Sequence, residues 1–238
     1  MYREIKKKKL ILENRKPYRK EASLLILELN YIDWIYSSLK LDGSRLKRAE
    51  VDKILKGELL TEVSLKDHAV VSNFKTAIDL VCYMVEMEYY LSEKSMFKIY
   101  SALTGENCSE YRKSNPVLRM IEYNPPHFKE INQQMEMLYA WLHAKEQNCN
   151  PIERAAHLHN RIIEIYPYAA ECEAMARMAA QYHLMSNGLP PILWNVGEDE
   201  YYDAIYSYLR KDEISPVYNI IERGVFNKLE VMMQLTNV

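Results

Sequence analysis

Glycine, proline and cysteine are all scarce in this chain. Its 238 residues include 6 glycines and 9 prolines, while methionine, leucine, tyrosine, glutamate and lysine are plentiful, a balance that favours helix. The 4 cysteines show neither CxxC spacing nor a neighbouring histidine at metal-site spacing: Cys82, Cys108, Cys149 and Cys172. This absence argues against a structural metal site. We expect reduced thiols in a cytoplasmic protein that holds no metal.

Long apolar runs are also missing. No segment approaches the roughly 20 apolar residues that cross a bilayer, and the first residues are too basic and lack the apolar centre of a secretory signal. The net charge of −2 gives no global attraction to nucleic acids or membranes. At 238 residues the chain is long enough for one large domain, or for a domain with a helical extension.

Positive charge, by contrast, is concentrated at the start of the chain. Its first 20 residues carry many lysines and arginines, opposed by Glu4 and Glu13. This composition is typical of a solvated, partly disordered arm, which we expect over residues 1–21. Contact of the arm with a nucleic acid or another anionic surface is the alternative.

From residue 22 onward, apolar residues recur at helical spacing. Ser64 and Asp67 form a capping box ahead of one helix, and Ser215-Pro216 begins a last helix that we expect to end at Gly224. We therefore predict four parts: a basic arm at 1–21, an N-terminal helical region at 22–93, a core at 94–225 and a C-terminal tail at 226–238.

One segment, residues 111–128, interrupts the helical pattern. It contains the β-prone run Val117-Leu118-Arg119-Met120-Ile121 between Asn115-Pro116 and Asn124-Pro125-Pro126. We predict a small β-hairpin flap here, within an otherwise all-α fold. The edge of such a flap suits the binding of an extended segment of a partner protein.

The most specific pattern of the chain is the segment 165–177. It reads Ile165, Tyr166, Pro167, Tyr168, Ala169, Ala170, Glu171, Cys172, Glu173, Ala174 and, after two further residues, Arg177. This frame is similar to the signature of the Fic/Fido family, His-Pro-Phe-x-Asp/Glu-Gly-Asn-Gly-Arg-x-x-Arg. Tyr111-Arg112, the flap and residues 188–192 follow the family's order around it. The resemblance implies a Fic-type helical bundle that uses Mg²⁺ and ATP to transfer AMP to a protein hydroxyl.

A related resemblance lies upstream, at residues 38–43. Ser38-Leu39-Lys40-Leu41-Asp42-Gly43 is similar to the family's inhibitory helix, whose motif is Ser/Thr-x-x-x-Glu-Gly/Asn. In the family this Glu pairs with the second Arg of the signature and blocks productive placement of ATP. The resemblance implies a pair between Asp42 and Arg177. The alternative is an Asp in a turn and an Arg on a helix surface, apart from one another.

The residues at the family's reactive positions have changed. Tyr166 stands at the place of the catalytic base, but a phenol with a pKa near 10 stays protonated at neutral pH. A core aromatic residue is therefore the simpler interpretation. Ala170 stands at the place of the Mg²⁺ ligand and offers no oxygen. Ala174 replaces the phosphate-binding Arg.

Acidic residues, Glu171 and Glu173, occupy the two glycine positions of the signature. A like charge roughly 4 Å from a phosphate costs about 4 kcal/mol at an effective dielectric near 20. The simplest explanation for these carboxylates is that they oppose the helix dipole. Cys172, at the place of the family's Asn, is either a nucleophile at a helix N-terminus or, as we expect between two carboxylates, an inert buried thiol.

These losses fall on every step of AMP transfer. We predict a degenerate Fic-fold protein that lacks protein adenylylation, needs neither ATP nor Mg²⁺, and acts as a binding or regulatory module for a protein partner at residues 111–128. Glu171, Glu173 and Arg177 are the candidates for its ligand groove. The alternative is a Fic-type nucleotidyltransferase, or another transferase with altered chemistry, that uses Glu171, Glu173 or Cys172. We expect no nucleic-acid or membrane partner, and the sequence leaves a homo-oligomer open.

Overall fold

The computed structural model describes residues 1–116, 118, 123–144 and 149–237. Within them the chain forms ten α-helices and a short 3-10 helix, Phe128–Glu130. The α-helices are α1 (Tyr2–Asn14), α2 (Lys20–Leu41), α3 (Arg48–Leu55), α4 (Leu65–Glu86), α5 (Glu93–Thr104), α6 (Ile131–His143), α7 (Pro151–Ile165), α8 (Cys172–Ser186), α9 (Glu198–Lys211) and α10 (Ser215–Leu235). The predicted all-α fold is confirmed. No helix of the described ranges has both the length and the apolar character to cross a membrane.

The predicted β-hairpin flap falls partly on residues 117 and 119–122, which lie outside the described residues. The described residues beside them contribute one antiparallel bridge, between Leu118 and Tyr123. A single bridge does not make a hairpin, so the flap stays a prediction.

Local sequence signals set the boundaries of the central helices. Asn150 begins α7, because its Oδ1 accepts hydrogen bonds from two backbone N–H groups of the first turn at 2.9 and 3.1 Å. Pro151 lies in that first turn, where its missing N–H is not needed. α7 ends where Tyr166 adopts a left-handed backbone, and α8 begins at Cys172. Residues 166–171 alone therefore connect the two helices; we name them the signature loop.

α7 and α8 pack along each other at the centre of the molecule. Residues 174–182 of α8 are all buried, so this helix is enclosed by its neighbours. α6, α9 and α10 pack against α7, while α4 and α5 pack against α8. The signature loop thus lies at one end of a rigid central pair of helices, which fixes its position.

The basic segment at the start of the chain is a docked helix, and the expectation of a solvated, partly disordered arm is wrong. α1 packs against α10, and Ile5 and Leu12, seven residues apart on one helix face, are 0% and 2% exposed. Lys8 pairs with Glu230, and Arg15 donates to the carbonyl of Met233 at 2.8 Å. The composition rule failed because apolar residues on one face of α1 pack on α10, while basic side chains of the segment form ion pairs and hydrogen bonds with α10.

The end of the chain also differs from the prediction. α10 continues through Gly224 as far as Leu235, so residues 226–235 belong to this helix and do not form a tail. A Cβ at position 224 would lie 3.0 Å from Ile192 Cδ1 and 3.3 Å from the carbonyl oxygen of Leu193. Gly224 therefore permits a close approach of the preceding segment to α10, and its presence does not mark a helix end.

Candidate functional site

The signature loop is strained at both of its ends. Tyr166 and Glu171 have φ angles of 49° and 57°, in the left-handed region. This conformation costs an L-residue other than glycine roughly 1–2 kcal/mol. Glu171 occupies a glycine position of the signature, so the backbone keeps the glycine conformation although the glycine is gone.

Arg112 fixes the loop to the segment that carries the predicted flap. Its Nε donates to the Tyr166 carbonyl at 2.7 Å, and its Nη2 donates to the Pro126 carbonyl at 2.6 Å. Its backbone N–H donates to the Pro167 carbonyl at 2.9 Å. Arg112 is 5% exposed. The sequence shows the Tyr-Arg pair, but its bracing role depends on the Tyr166 and Pro167 carbonyls, more than 50 positions along the chain.

Tyr166 does not meet the needs of a catalytic base. The side chain is 9% exposed, and its hydroxyl lies 3.4 Å from both carboxylate oxygens of Glu173, to which it donates. Burial and the Glu173 charge both raise the pKa of Tyr166 above its ordinary value. The phenol therefore stays protonated at neutral pH, as the sequence predicted.

Cys172 lies inside the turn and not at its surface. It is 0% exposed, and its Sγ accepts a hydrogen bond from the backbone N–H of Tyr168 at 3.2 Å. Burial raises the pKa of the Cys172 thiol well above its ordinary value, despite that hydrogen bond. The structure thus favours a neutral, shielded thiol over a nucleophile.

The N-terminus of α8 is acidic. Burial is the main cause that raises the pKa of both Glu171 and Glu173, and the Asp42 carboxylate raises it further. Arg177 lowers both pKa values but does not reverse the shift. Ala170 is exposed and Ala174 is buried, and neither offers a ligand atom in its side chain. Carboxylates therefore lie at the helix N-terminus, where the family signature binds phosphate.

Asp42 and Arg177 are in direct contact. Arg177 is 0% exposed, and its Nη2 lies 2.6 Å from Oδ1 and 2.5 Å from Oδ2 of Asp42. The Nε group donates to Ser38 Oγ at 2.8 Å. Burial opposes the charge of the guanidinium, yet Asp42 and Tyr201 together raise the pKa of Arg177 above its ordinary value. The contact between α2 and α8 that the resemblance implied is present.

Two further residues, Tyr201 and His159, continue the hydrogen bonds of this pair, and the sequence did not predict this role. Tyr201 accepts a hydrogen bond from Arg177 Nη1 at 3.2 Å, and His159 Nε2 lies 2.8 Å from the Tyr201 hydroxyl. Both are 0% exposed. His159 lies on α7 and Tyr201 on α9, and the packing of these two helices brings them together.

A groove of about 1050 Å³ lies on the other side of the Asp42–Arg177 contact. Asp42, Gly43, Lys66, Tyr100 and Glu171 are among the residues that line it. Glu171 is thus at the groove, as expected, whereas Glu173 and Arg177 do not line it. Among the described residues no group of three or more His, Cys, Asp or Glu side chains could hold a metal ion.

Comparison with known proteins agrees with this geometry. Residues 90–184 match the model of the Fic/DOC family. A uridine 5'-monophosphate transferase of Xanthomonas campestris pv. campestris is 27% identical, over 74% of this chain and 35% of that protein. A protein adenylyltransferase Fic of Aedes aegypti is 21% identical, over 87% of this chain and 42% of that protein. A solved Fic domain containing signaling protein from Bacteroides thetaiotaomicron superposes with a TM-score of 0.85 at 20% identity, over 98% of this chain and 97% of that chain.

Residues 90–184 therefore match the Fic/DOC family, and the chain is similar to Fic proteins over most of its length. The predicted Fic-type arrangement of helices is confirmed. The chain covers 35% and 42% of the length of the two named relatives, so their activities apply here as proposals and not as findings.

Proposed function

We propose that this Fic-family protein has lost AMP transfer and acts by binding another protein. The acidic N-terminus of α8 is the observation that carries the proposal. Glu171 and Glu173 both have a raised pKa because of burial and the nearby Asp42. A polyphosphate at this helix end would meet carboxylates instead of the backbone and guanidinium groups of the family signature, at a cost of about 4 kcal/mol per close like charge.

The residues present do not fit Mg²⁺ and ATP. Ala170 supplies no oxygen for the metal, and Ala174 supplies no guanidinium for the phosphates. Arg177, the guanidinium that the signature retains, is buried and engaged by Asp42 and Ser38.

A protein partner at residues 111–128 agrees with the way this segment is held. Arg112 anchors its first part through the Tyr166 and Pro126 carbonyls, while Leu118 and Tyr123 are partly exposed beside it. The Aedes relative is named a protein adenylyltransferase. This chain, as we propose, binds a protein but does not transfer a nucleotide group to it. The cytoplasmic location stays a prediction.

The test of lost transfer uses the full chain with labelled ATP and UTP in the presence of Mg²⁺. We expect no heat of nucleotide binding in calorimetry and no label on the chain or on lysate proteins. A restored variant serves as the positive control, with these substitutions: Tyr166→His, Ala170→Asp, Glu171→Gly, Cys172→Asn, Glu173→Gly and Ala174→Arg. Nucleotide binding by this variant would show that the assay detects it on this scaffold. Label transferred by the wild type and abolished by Arg177→Ala would overturn the proposal.

The test of partner binding compares two photo-crosslinkers. One replaces Leu118 and the other replaces Leu10, which is 63% exposed on α1. We expect a discrete protein adduct at position 118, weakened by Arg112→Ala, and none at position 10. Equal adducts at both positions would argue against binding at residues 111–128.

A transferase with altered chemistry is the second candidate, and one observation favours it. Glu171 lines the groove, and partial desolvation of its carboxyl group together with the Asp42 charge raises its pKa, which is the direction that favours a general acid. Tight binding of a nucleotide or amine from a ligand panel, lost in Glu171→Gln, would support this candidate. Cys172 gains no such support, since its thiol is buried.

A further inference from the structure

Four buried side chains form an unbroken line of hydrogen bonds across three helices. Arg177 Nη1 lies 3.2 Å from the Tyr201 hydroxyl, and that hydroxyl lies 2.8 Å from His159 Nε2. On its far side, His159 Nδ1 lies 3.1 Å from Asn160 Oδ1. All four residues are 0% exposed.

The chemistry of the donors fixes the direction of the first bond in this line. A guanidinium has only N–H donors, so the Tyr201 oxygen accepts from Arg177. We assign the Tyr201 proton to the bond with His159, in which Nε2 of the imidazole accepts and carries no proton. The neutral ring consequently bears its proton on Nδ1, and that N–H donates to Asn160 Oδ1.

The surroundings of His159 keep the ring neutral. Burial, aided by the Arg177 cation and opposed by the Asn160 hydrogen bond, lowers the pKa of His159 to about 3. Trp194 and Tyr201 pack against the ring, with centroid distances of 5.6 Å to each. A protonated His159 ring would be a second cation beside Arg177. Neither of the hydrogen-bond partners of the ring, Tyr201 and Asn160, is a carboxylate.

Arg177 is the point at which this line reaches α2. Its Nε donates to Ser38 Oγ at 2.8 Å, and its Nη2 donates to the Ser38 carbonyl at 3.3 Å. The same Nη2 holds the Asp42 carboxylate. The Arg177 guanidinium therefore links the last turn of α2 to α8.

We infer that His159 and Tyr201 are positioning residues, which lock the Arg177 guanidinium in the orientation that holds the C-terminal turn of α2. The inference does not depend on whether the protein binds a nucleotide or a protein partner. Without the Tyr201 hydroxyl, Nη1 loses that acceptor, and only the contacts with Ser38 and Asp42 then orient the guanidinium. Residues 38–43, which end at the groove, would then open more often.

The first test reads the wild-type protein directly. In ¹⁵N-labelled protein, we expect His159 to show a protonated Nδ1 and an unprotonated Nε2, without titration between about pH 5 and pH 8. A proton on Nε2, or a ring that titrates in this range, would overturn the inference. This measurement needs no variant and so does not depend on any variant folding.

The second test compares Tyr201→Phe with Tyr202→Phe, which removes the same hydroxyl one residue along α9. We expect Tyr201→Phe to speed amide hydrogen exchange of residues 38–43 roughly tenfold, as loss of one buried hydrogen bond implies. Exchange elsewhere in α2 and in α4 should stay within twofold. Tyr202→Phe should leave residues 38–43 unchanged.

Replacement of the histidine separates positioning from packing. His159→Phe removes the acceptor and should reproduce the effect of Tyr201→Phe, while His159→Gln, whose Oε1 accepts a hydrogen bond, should partly restore slow exchange. A uniform rise in exchange over the whole chain, or no rise at residues 38–43, would overturn the inference.

Discussion

The Asp42 carboxylate receives hydrogen bonds at both of its oxygens from a single nitrogen, Nη2 of Arg177, at 2.6 and 2.5 Å. The carboxylate is 24% exposed, but the guanidinium is 0% exposed. The contact joins α2 to α8, the helix that carries the signature.

Removal of the Asp42 carboxylate should destabilise the fold strongly. Asp42→Ala leaves Arg177 charged and buried without its counter-ion, so we expect a loss of about 3 kcal/mol in the free energy of unfolding in denaturant titrations. Glu110→Ala is the control, because Glu110 pairs with Lys113 at the surface at 2.7 Å. That variant should lose under about 0.5 kcal/mol. Equal losses would contradict this account of the pair.

Glycine at position 171 should stabilise the protein. Glu171→Gly relieves the left-handed backbone and removes a carboxylate near Asp42. Glu88→Gly is the matched control, since Glu88 has a φ of 54° and lies at the surface away from the signature. We expect each variant to gain up to about 1 kcal/mol from relief of strain, with a further gain for Glu171→Gly at neutral pH.

The further gain at position 171 should depend on pH in a defined direction. A carboxyl group whose pKa is raised on folding binds more protons in the folded state, so its cost to stability grows as the pH rises from the ordinary to the raised value and is constant above it. The cost is absent below the ordinary value of 4.5. The difference between the two glycine variants should therefore vanish on acidification. A difference that persists at low pH would mean that the carboxyl group does not cause the further gain in stability, which would then come from the backbone alone.

Cys172 should resist alkylation in the native protein. Its thiol is 0% exposed, and burial raises its pKa well above the ordinary value. Cys108, which is partly exposed, is the internal control. Mass spectrometry after brief treatment with iodoacetamide should find Cys108 modified and Cys172 intact, with both modified in denaturant. Rapid native modification of Cys172 would revive the nucleophile hypothesis.

Arg112 should not be replaceable by lysine. The guanidinium donates to the Tyr166, Pro126 and Ser114 carbonyls, a geometry that a single ammonium group does not reproduce. We expect Arg112→Lys and Arg112→Ala each to cost about 2–3 kcal/mol of unfolding free energy, since buried carbonyls lose their donors. Lys113→Ala, at the exposed neighbour, should be near neutral. Full recovery by lysine would show that charge alone matters.

The docking of α1 can be measured with two apolar residues of the same helix. Ile5 is 0% exposed and Leu10 is 63% exposed. Ile5→Ala should cost about 2–4 kcal/mol of unfolding free energy, whereas Leu10→Ala should change it by less than about 0.5 kcal/mol. Similar small effects would mean that α1 contributes little to the fold in solution.

The sequence predicted what local pattern and motif order encode. Helical spacing gave the all-α fold, and the Ser38 to Gly43 frame led to the contact of Asp42 with Arg177. The residue type alone also predicted that Tyr166 is a poor base. The ordinary pKa of a phenol is already too high for a base at neutral pH, and burial raises the pKa of Tyr166 further.

The features that the sequence did not predict depend on contacts between residues far apart in the chain. The docking of α1 needs the face of α10, which is about 200 residues away. Gly224 predicts a helix end from local sequence alone. The contact with Ile192 that explains this glycine is between residues far apart in the chain. The line from Arg177 to His159 crosses three helices, and no local spacing indicates which of their polar residues meet.

The pairing of α1 with α10 has a consequence for the order in which this chain assembles. About 200 residues must be synthesised after α1 before α10 is complete, so α1 meets its partner helix only after that length of chain has been made. During that interval Ile5 and Leu12 lack the surface that covers them in the folded state. We expect the lysines and Arg3 of α1 to keep the uncovered helix in solution and to repel other copies of it, a role that needs no anionic ligand.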